Sequence, residues 1–349
     1  MQKCIGFFLF APSKPSQSAA NEMREVNVRW LHALLALATA LLVVSAAFIG
    51  GSWWLASRPA DPVSAESIEH HRALAMQWLR RHEQDALADA NVALWWMIQR
   101  AAQHSGDPYL HQLTQQAIAH HFDGPFAQEP WRRMLEPRAE ILAFARGLEK
   151  LVDYQRFFHH AMTCKALPLA NGDTERFLRG DMCAPMWREV FWRDPVCTTH
   201  QVFGQMLYQQ TGCPPVGRQD QLQQQLLDDV ELQLTWDPVM RDPHIQRVLV
   251  LVMNSRAAHV KPIWLQRILA AQEADGGWRG YRRIPELPEW MQPWVWRDQL
   301  GRWWPDRFPS DRRDFDFHAS AQAILLLTLL QPPAGHPHAQ VEPMTPTMP

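Results

Sequence analysis

The stretch from Trp264 to Trp278 reads WLQRILAAQEADGGW, an amphipathic helix that stops at two glycines followed at once by an indole. Gly276 or Gly277 can adopt the left-handed conformation that ends a helix, because neither carries a Cβ. One turn earlier, Gln272 can hydrogen-bond the exposed end of a neighbouring helix or the loop itself. Trp278 can then pack back over the helix terminus. The predicted structural motif is Gln272, Asp275, Gly276, Gly277 and Trp278.

Outward from this corner, helical periodicity dominates the chain. After Ser64, a residue type that caps helix starts, apolar residues recur mostly at three- and four-residue intervals. No stretch keeps the two-residue alternation of a half-buried strand. Further helices are predicted at about 108–122, 130–150, 153–164, 184–193, 198–211, 218–234, 242–254, 261–273 and 316–331. Short polar or Pro-containing connections predict an all-α domain whose neighbouring helices pack antiparallel.

The corner at 264–278 resembles the glutamine–tryptophan repeat of squalene–hopene cyclases and the related Asp-Gly-Gly-Trp turns of protein prenyltransferase β-subunits. Those families share an α/α toroid, in which an outer ring of helices wraps an inner ring. The segment from Phe317 to Leu327 is similar to the inner helix that follows such a repeat. The resemblance covers about residues 240–331, and it implies an α/α toroid-like domain rather than a particular reaction.

The candidate catalytic residues lie at the start of that inner helix. Triterpene cyclases protonate their substrate with an Asp-x-Asp-Asp motif, which this chain lacks. Asp314 and Asp316 are the nearest match, and two close carboxylates can raise each other's pKa and act as an acid. We expect them to converge with His318 on a central cavity, and His200 starts another predicted inner helix. The alternative is that the carboxylates only stabilise the positive end of the helix that begins near His318.

Metal binding is not expected. Cys197 and His200 have a chelating spacing that Cys183 and Cys213 can complete, but the spacings miss the usual paired zinc pattern. The acidic run at 228–231 loosely resembles the magnesium-diphosphate motif of terpene synthases, although a solvated helix face explains it better. We therefore predict no metal and no cofactor.

A membrane-spanning helix is the clearest single prediction. Leu31 to Gly51 reads LHALLALATALLVVSAAFIGG, and no Asp, Glu, Lys or Arg occurs between Arg29 and Arg58. At about 1.5 Å per residue this stretch spans roughly 31 Å, the thickness of the bilayer hydrocarbon. Arg24 and Arg29 precede it, which predicts a cytoplasmic N-terminus.

Two alternatives remain at the N-terminus. Small residues follow the apolar run, which is also typical of a cleaved signal peptide, although the run is longer than a usual signal core. Translation from Met23 instead of Met1 would leave a short basic leader directly before the helix, as in signal anchors.

Four cysteines cluster on the predicted outer side of the membrane, namely Cys164, Cys183, Cys197 and Cys213. An even, clustered set in an exported domain predicts two disulfides in an oxidising compartment. Sequence allows three connectivities. Proximity along the chain favours Cys164–Cys183 with Cys197–Cys213.

The segment 285–309 is read as one long, Pro-punctuated connection that is rich in indoles and arginines. Indoles suit sugar or isoprenoid surfaces and the membrane interface, and arginines suit phosphate or carboxylate groups. The alternative is a loop that caps the helical domain. The candidate ligand- or partner-binding residues are Trp290, Trp294, Trp296, Trp303, Trp304, Arg297 and Arg302.

Composition narrows the function class. The chain has 349 residues, with 34 Lys plus Arg against 36 Asp plus Glu, so it lacks the basic excess of a nucleic-acid binder. Four segments are expected: cytoplasmic 1–29, transmembrane signal anchor 30–54, periplasmic helical domain 55–331 and a disordered Pro-rich tail 332–349. No complete catalytic motif is present. A non-catalytic module at the inner membrane that binds an envelope protein or a ligand is therefore expected. An enzyme acting on a polyisoprenoid or glycan lipid is the alternative.

Overall fold

The computed structural model describes residues 17–122, 129–141, 148–169, 172–183, 197–240, 242–280, 283–303 and 316–333. Within those ranges, the side chains at 17–29, 149, 169, 289, 293, 294, 297, 298 and 301 are outside the description. The chain divides into two compact units, Met1–Gly51 and Ser52–Pro349. The predicted helix at 184–193 and nearly all of the predicted tail lie outside the described residues.

The all-α prediction is confirmed, because the described residues fold mainly into helices. The helices are α1 (Gln17–Ser57), α2 (Ala65–Arg81), α3 (Glu83–Leu87), α4 (Val92–Ser105), α5 (Pro108–Ala117), α6 (Arg132–Leu135), α7 (Asp153–Thr163), α8 (Arg176–Arg179), α9 (Cys197–Thr211), α10 (Gln219–Trp236), α11 (Asp242–Met253), α12 (Pro262–Ala270), α13 (Pro293–Trp303) and α14 (Phe317–Leu329). A π-helical turn continues α5 over Ile118–Phe122, and 3-10 turns cover Leu148–Lys150, Ala257–His259 and Glu289–Met291. The strands β1 (Pro168–Leu169) and β2 (Gly172–Asp173) form a two-residue antiparallel ladder.

Helix α1 contains the predicted membrane span. Its segment Trp30–Ser57 is 28 residues long, and the most apolar window of that segment has a mean hydropathy of 2.4 and no buried residue. Thr39 satisfies its hydroxyl inside the helix by donating to the carbonyl oxygen of Leu35 at 2.8 Å. A helix of this length and composition can cross a membrane.

Side-chain caps explain where several helices of the second unit begin. Ser64 accepts a hydrogen bond from the backbone N–H of Ser67 at the start of α2, as the sequence predicts. Asn91 caps α4 in the same way through Ala93, and Asp107 caps α5. Each cap satisfies a backbone donor that has no partner within its own helix.

One predicted helix is wrong over much of its length. The sequence predicts a helix over 130–150, whereas α6 ends at Leu135 and the chain is not helical again before Leu148 among the described residues. Pro137 explains the break, since a proline disfavours the helical conformation of the residue before it. Glu136 accordingly adopts φ −130° and ψ 89°.

The preferred disulfide connectivity is also wrong, although all four cysteines pair. Cys164 bonds Cys213, with Cα atoms 5.3 Å apart, and Cys183 bonds Cys197, with Cα atoms 5.5 Å apart. The first bond joins residues 49 positions apart because α7, which ends just before Cys164, packs along α9. Two disulfides in one domain are typical of an oxidising, extracytoplasmic compartment.

Helix α14 forms the centre of the second unit. It packs against α2, α4 and α11, and its residues from Phe317 to Thr328 are buried apart from the partly buried His318. Small residues such as Ala321 and Ala323 let neighbouring helices approach closely. At 13 residues, this apolar helix is too short to span a bilayer and is instead a core helix.

The corner at 264–278 forms the predicted hydrogen bonds, but the predicted helix end at Gly276 or Gly277 is wrong. Helix α12 ends at Ala270, with Ala271 in the right-handed helical conformation as its C-cap, and Gly276 lies in the turn that follows. Gln272 Nε2 donates to the carbonyl oxygens of His71 at 2.9 Å and Gly276 at 2.8 Å, which joins the loop to α2. Gly276 has φ +90°, and a Cβ there would collide with the carbonyl oxygen of Leu74. Trp278 Nε1 donates to the carbonyl oxygen of Ile268 at 2.8 Å, so the indole covers the end of α12. The corner therefore fixes the end of α12 against α2, and the chain then continues towards α14.

Candidate functional site

A cavity of about 330 Å³ lies among the helices of the second unit. It is lined by Ala90, Asn91, Val92, Ala93, Trp96, Met97, Trp131, Met134, Tyr154, Gln155, Phe158, His200, Phe203, Gln246 and His318. These residues come from the N-terminal halves of α4, α7, α9, α11 and α14, from the two residues before α4, and from α6 with the residue before it. No Asp, Glu, Lys or Arg is present in this described lining.

The helices around the cavity form a continuous series of neighbours in space. Helix α4 packs on α14, α14 on α11, α11 on α9, and α9 on α7. Short α6 packs on α4, and its Arg133 donates to the carbonyl oxygen of Met162 on α7 at 2.8 Å. The cavity wall is thus assembled from helices that are far apart in the chain.

Aromatic rings form a large part of the described cavity wall. Trp96 meets Phe203 edge to face, with ring centroids 5.4 Å apart. His200 stacks on Phe158 at 5.8 Å and contacts the ring of Tyr154 at 4.2 Å. Such ring contacts restrict the orientations of these side chains.

Gln246 supplies a polar group to the wall. The residue is only 3% exposed, and its Oε1 accepts a hydrogen bond from Thr199 Oγ1 at 2.9 Å. Among the described residues, no acceptor receives a hydrogen bond from its Nε2, although Gln246 lines the cavity. The Nε2 group can therefore donate to a ligand in the cavity that carries a hydrogen-bond acceptor.

His318 is an ionisable residue in the cavity wall. Its Nδ1 lies 3.1 Å from Oδ2 of Asp242, and Gln322 Nε2 lies 3.3 Å from the ring. Burial lowers the pKa of His318, but the hydrogen bond and charge of Asp242, with the charges of Asp316 and Asp89, outweigh burial and raise the pKa above its ordinary value. The carboxylate of Asp242 therefore both orients this imidazole and favours its protonated form.

The structure separates the predicted catalytic residues. His318 and His200 line the same cavity. Asp316 is 6% exposed and accepts a hydrogen bond from the backbone N–H of Ala319 at 3.0 Å, so it caps α14, as the alternative interpretation predicts. Asp314 lies outside the described residues.

Several of the residues considered as metal ligands form other bonds in the structure. Cys197 is bonded to Cys183, and Cys213 to Cys164, so these sulfurs are not thiolate ligands in this structure. In the acidic run at 228–231, Asp228 and Glu231 pair with Arg256 at 2.6 and 2.9 Å. No group of three or more potential metal ligands occurs within the described residues.

The Trp-rich segment includes a helix that its prolines obscured. The sequence suggests a connection over 285–309, whereas residues Pro293–Trp303 form α13. A proline is compatible with the first turn of a helix, where its missing N–H has no partner to lose. Trp290, Trp296 and Trp303 are exposed, as is Arg302, and none of them lines the cavity. The side chains of Trp294 and Arg297, and the whole of Trp304, lie outside the described residues.

Most residues of the cavity wall are not among the candidate site residues predicted from the sequence. Asp242 and Gln246 lie one helical turn apart on α11, and this spacing is the one local signal that could have joined them. Trp96 and Tyr154 reach the cavity from helices α4 and α7, and no local pattern brings those two helices together.

Comparisons with known proteins give no relative. No protein-family model matches the chain, and neither a curated protein nor a solved structure matches it significantly.

Proposed function

We propose that this protein is a membrane-anchored, extracytoplasmic module that binds a small ligand in the cavity of its helical domain. The observation that carries the proposal is the cavity itself, which has several aromatic rings in its wall and includes Gln246, whose Oε1 accepts a hydrogen bond from Thr199 and whose Nε2 bonds no acceptor among the described residues. The ligand chemistry that fits is an apolar body with a hydrogen-bond acceptor at one end. The proposal needs no catalytic group.

The cavity favours an acceptor over a cation at its polar end. Backbone N–H groups and the dipoles of helix N-termini carry partial positive charge, and α4, α7 and α14 begin beside the cavity. Protonated His318 adds to this charge. The carboxylates of Asp242, Asp316 and Asp89 offset this charge, so a neutral acceptor is the expected partner.

The proposed location is the inner membrane, with the N-terminus in the cytoplasm and the helical domain in the periplasm. Arg24 and Arg29 support this orientation, since basic residues stay on the cytoplasmic side. The two disulfides support an oxidising compartment for the second unit.

We further propose an α/α toroid of the terpene cyclase and prenyltransferase type. The Gln272–Trp278 corner supports it, because it connects α12 to the segment before the buried α14 as a glutamine–tryptophan repeat does. The succession of contacts among α4, α14, α11, α9 and α7 around the cavity also supports it.

The binding proposal is tested by comparing what co-purifies with three forms of the full chain. Ala93→Trp places an indole in the cavity, and Gln246→Ala removes the amide. Ala93→Ser, which keeps the cavity open, controls for the change at position 93. Mass spectrometry of organic extracts is expected to find a compound enriched with wild type and Ala93→Ser, reduced with Gln246→Ala and absent with Ala93→Trp. Identical extracts from wild type and Ala93→Trp would contradict the proposal.

A second candidate function is an enzyme acting on a polyisoprenoid or glycan lipid at the membrane surface. The observation that favours it is the His318–Asp242 pair, an imidazole held by a carboxylate with its ring in the cavity wall. In this role protonated His318 would be the general acid. The test incubates full-length protein with the lipid extract of its own membrane. A product formed by wild type and lost in His318→Gln supports catalysis, and no change in the extract argues against it.

A further inference from the structure

The exposed face of α13 is apolar in a regular pattern. Trp296, Leu300 and Trp303 follow one another at four- and three-residue spacing, so they form one stripe along the helix. Their exposed fractions are 53%, 38% and 79%. The 3-10 turn before α13 adds Trp290 and Met291, which are also exposed. Large apolar side chains clustered on one exposed face mark an interaction surface.

The α13 surface comes shortly after Glu286 in the chain, and Glu286 forms an ion pair next to the end of the membrane helix. Arg58 comes directly after Ser57, where the apolar helix ends, and its guanidinium lies 3.4 Å from Oε1 of Glu286. Arg267 also holds Glu286, with Nε 3.0 Å from the same oxygen. Trp290 is four residues beyond Glu286, which limits their separation to about 14 Å along an extended chain. The α13 surface therefore begins close to the end of the apolar helix.

Further contacts fix this end of the apolar helix in the second unit. Trp264 Nε1 donates to the carbonyl oxygen of Ala56 at 2.7 Å, and Ser57 Oγ donates to the carbonyl oxygen of Thr235 at 3.2 Å. Trp54 remains exposed and lies under the guanidinium of Arg58, with 5.0 Å to the ring centroid. An exposed indole beside an arginine at the end of an apolar helix is typical of the membrane interface.

We propose that the segment from Glu289 to Trp303, which comprises the 3-10 turn and α13, lies on the phospholipid surface as a second membrane contact of this protein. This inference rests on the proposed membrane anchor. Tethering of the second unit by the anchor raises the effective concentration of the indoles at the bilayer, so they can enter the interface without a separate binding event. Exposed Arg302, beside Trp303, can reach lipid phosphate groups.

The test uses the full chain in vesicles of phosphatidylcholine and phosphatidylglycerol. Single cysteines carry an environment-sensitive fluorophore in a Cys4→Ser background that leaves both disulfides in place. Leu300→Cys reports on the α13 surface, and Val43→Cys reports on the apolar helix. Gln221→Cys is the matched exposed control, because it lies about 21 Å along α10 from Thr235, which contacts Ser57.

The proposal predicts that nitroxide-labelled phosphatidylcholine quenches the Leu300 label several-fold more than the Gln221 label, and that aqueous iodide quenches it less. Equal quenching at Leu300 and Gln221 would overturn it. A Val43 label that is not quenched by lipid would instead show that the anchor fails. Protection of Leu300 from iodide in native membranes but not in vesicles would assign the surface to a protein partner and also overturn the proposal.

Discussion

Two groups of tryptophans in the second unit have opposite environments. Trp264 and Trp278 are fully buried, and each indole N–H donates to a backbone carbonyl. Trp290, Trp296 and Trp303 are exposed on the α13 surface. A buried indole is explained by the chain itself, through its packing and its hydrogen bond. A row of exposed indoles has no such internal explanation, so its role depends on something outside the described chain.

The largest expected effect comes from removing a buried indole. Trp278→Ala leaves a cavity at the end of α12 and removes the hydrogen bond to Ile268, so we expect the free energy of unfolding to fall by about 3–5 kcal/mol. Trp303→Ala removes a side chain that is 79% exposed, and we expect a change within about 0.5 kcal/mol. Denaturant unfolding of the full chain in detergent, followed by circular dichroism, measures both. Equal losses would mean that α13 is part of the core and would remove the contrast between the two groups.

A smaller effect is expected from Gln272, the polar residue of the buried corner. Gln272→Leu leaves the carbonyl oxygens of His71 and Gly276 without their donor, and we expect a loss of about 1–3 kcal/mol. Gln299→Leu on exposed α13 is the matched control, with little expected change. The same unfolding measurement applies. If Gln272→Leu is neutral, the corner does not depend on its glutamine.

The last expected effect is a dependence of stability on pH. Burial, with the charge of His160, lowers the pKa of His159 from 6.5 to about 4. The unfolded chain therefore binds a proton at this residue between those values while the folded chain does not, so stability falls as pH drops from about 6.5 towards 4. We expect His159→Phe to flatten this fall by a few degrees in the unfolding midpoint. His70→Phe changes an exposed position of α2 and should leave the pH dependence of the unfolding midpoint unchanged. An equal effect of His70→Phe would contradict the assignment of the pH dependence to His159.

The parts of the fold that the sequence predicts are those with local causes. The Gln272–Trp278 corner was predictable because Gln272 bonds Gly276 within the same turn and Trp278 bonds Ile268 on the preceding helix. The apolar helix was predictable because its length and apolar composition can be read from the sequence without any knowledge of packing. Helix α13 was not, since its prolines and mixed composition hide a helix that starts at Pro293.

The parts that were not predictable depend on packing between distant segments. Chain proximity cannot pair Cys164 with Cys213, because the packing of α7 against α9 brings them together. The cavity is a similar case. His200 and His318 could be selected from their positions at helix starts. Gln246 could not, because its place in the cavity wall and the hydrogen bond from Thr199 to its Oε1 appear only in the structure.

Native mass spectrometry of the full chain, released from its own membranes, shows whether a ligand occupies the cavity. We expect a wild-type species carrying one small molecule in addition to the chain mass with two disulfides, and an Ala93→Trp species at its bare chain mass. Bare chain masses for both forms, or the same added mass on both, would contradict a ligand in the cavity.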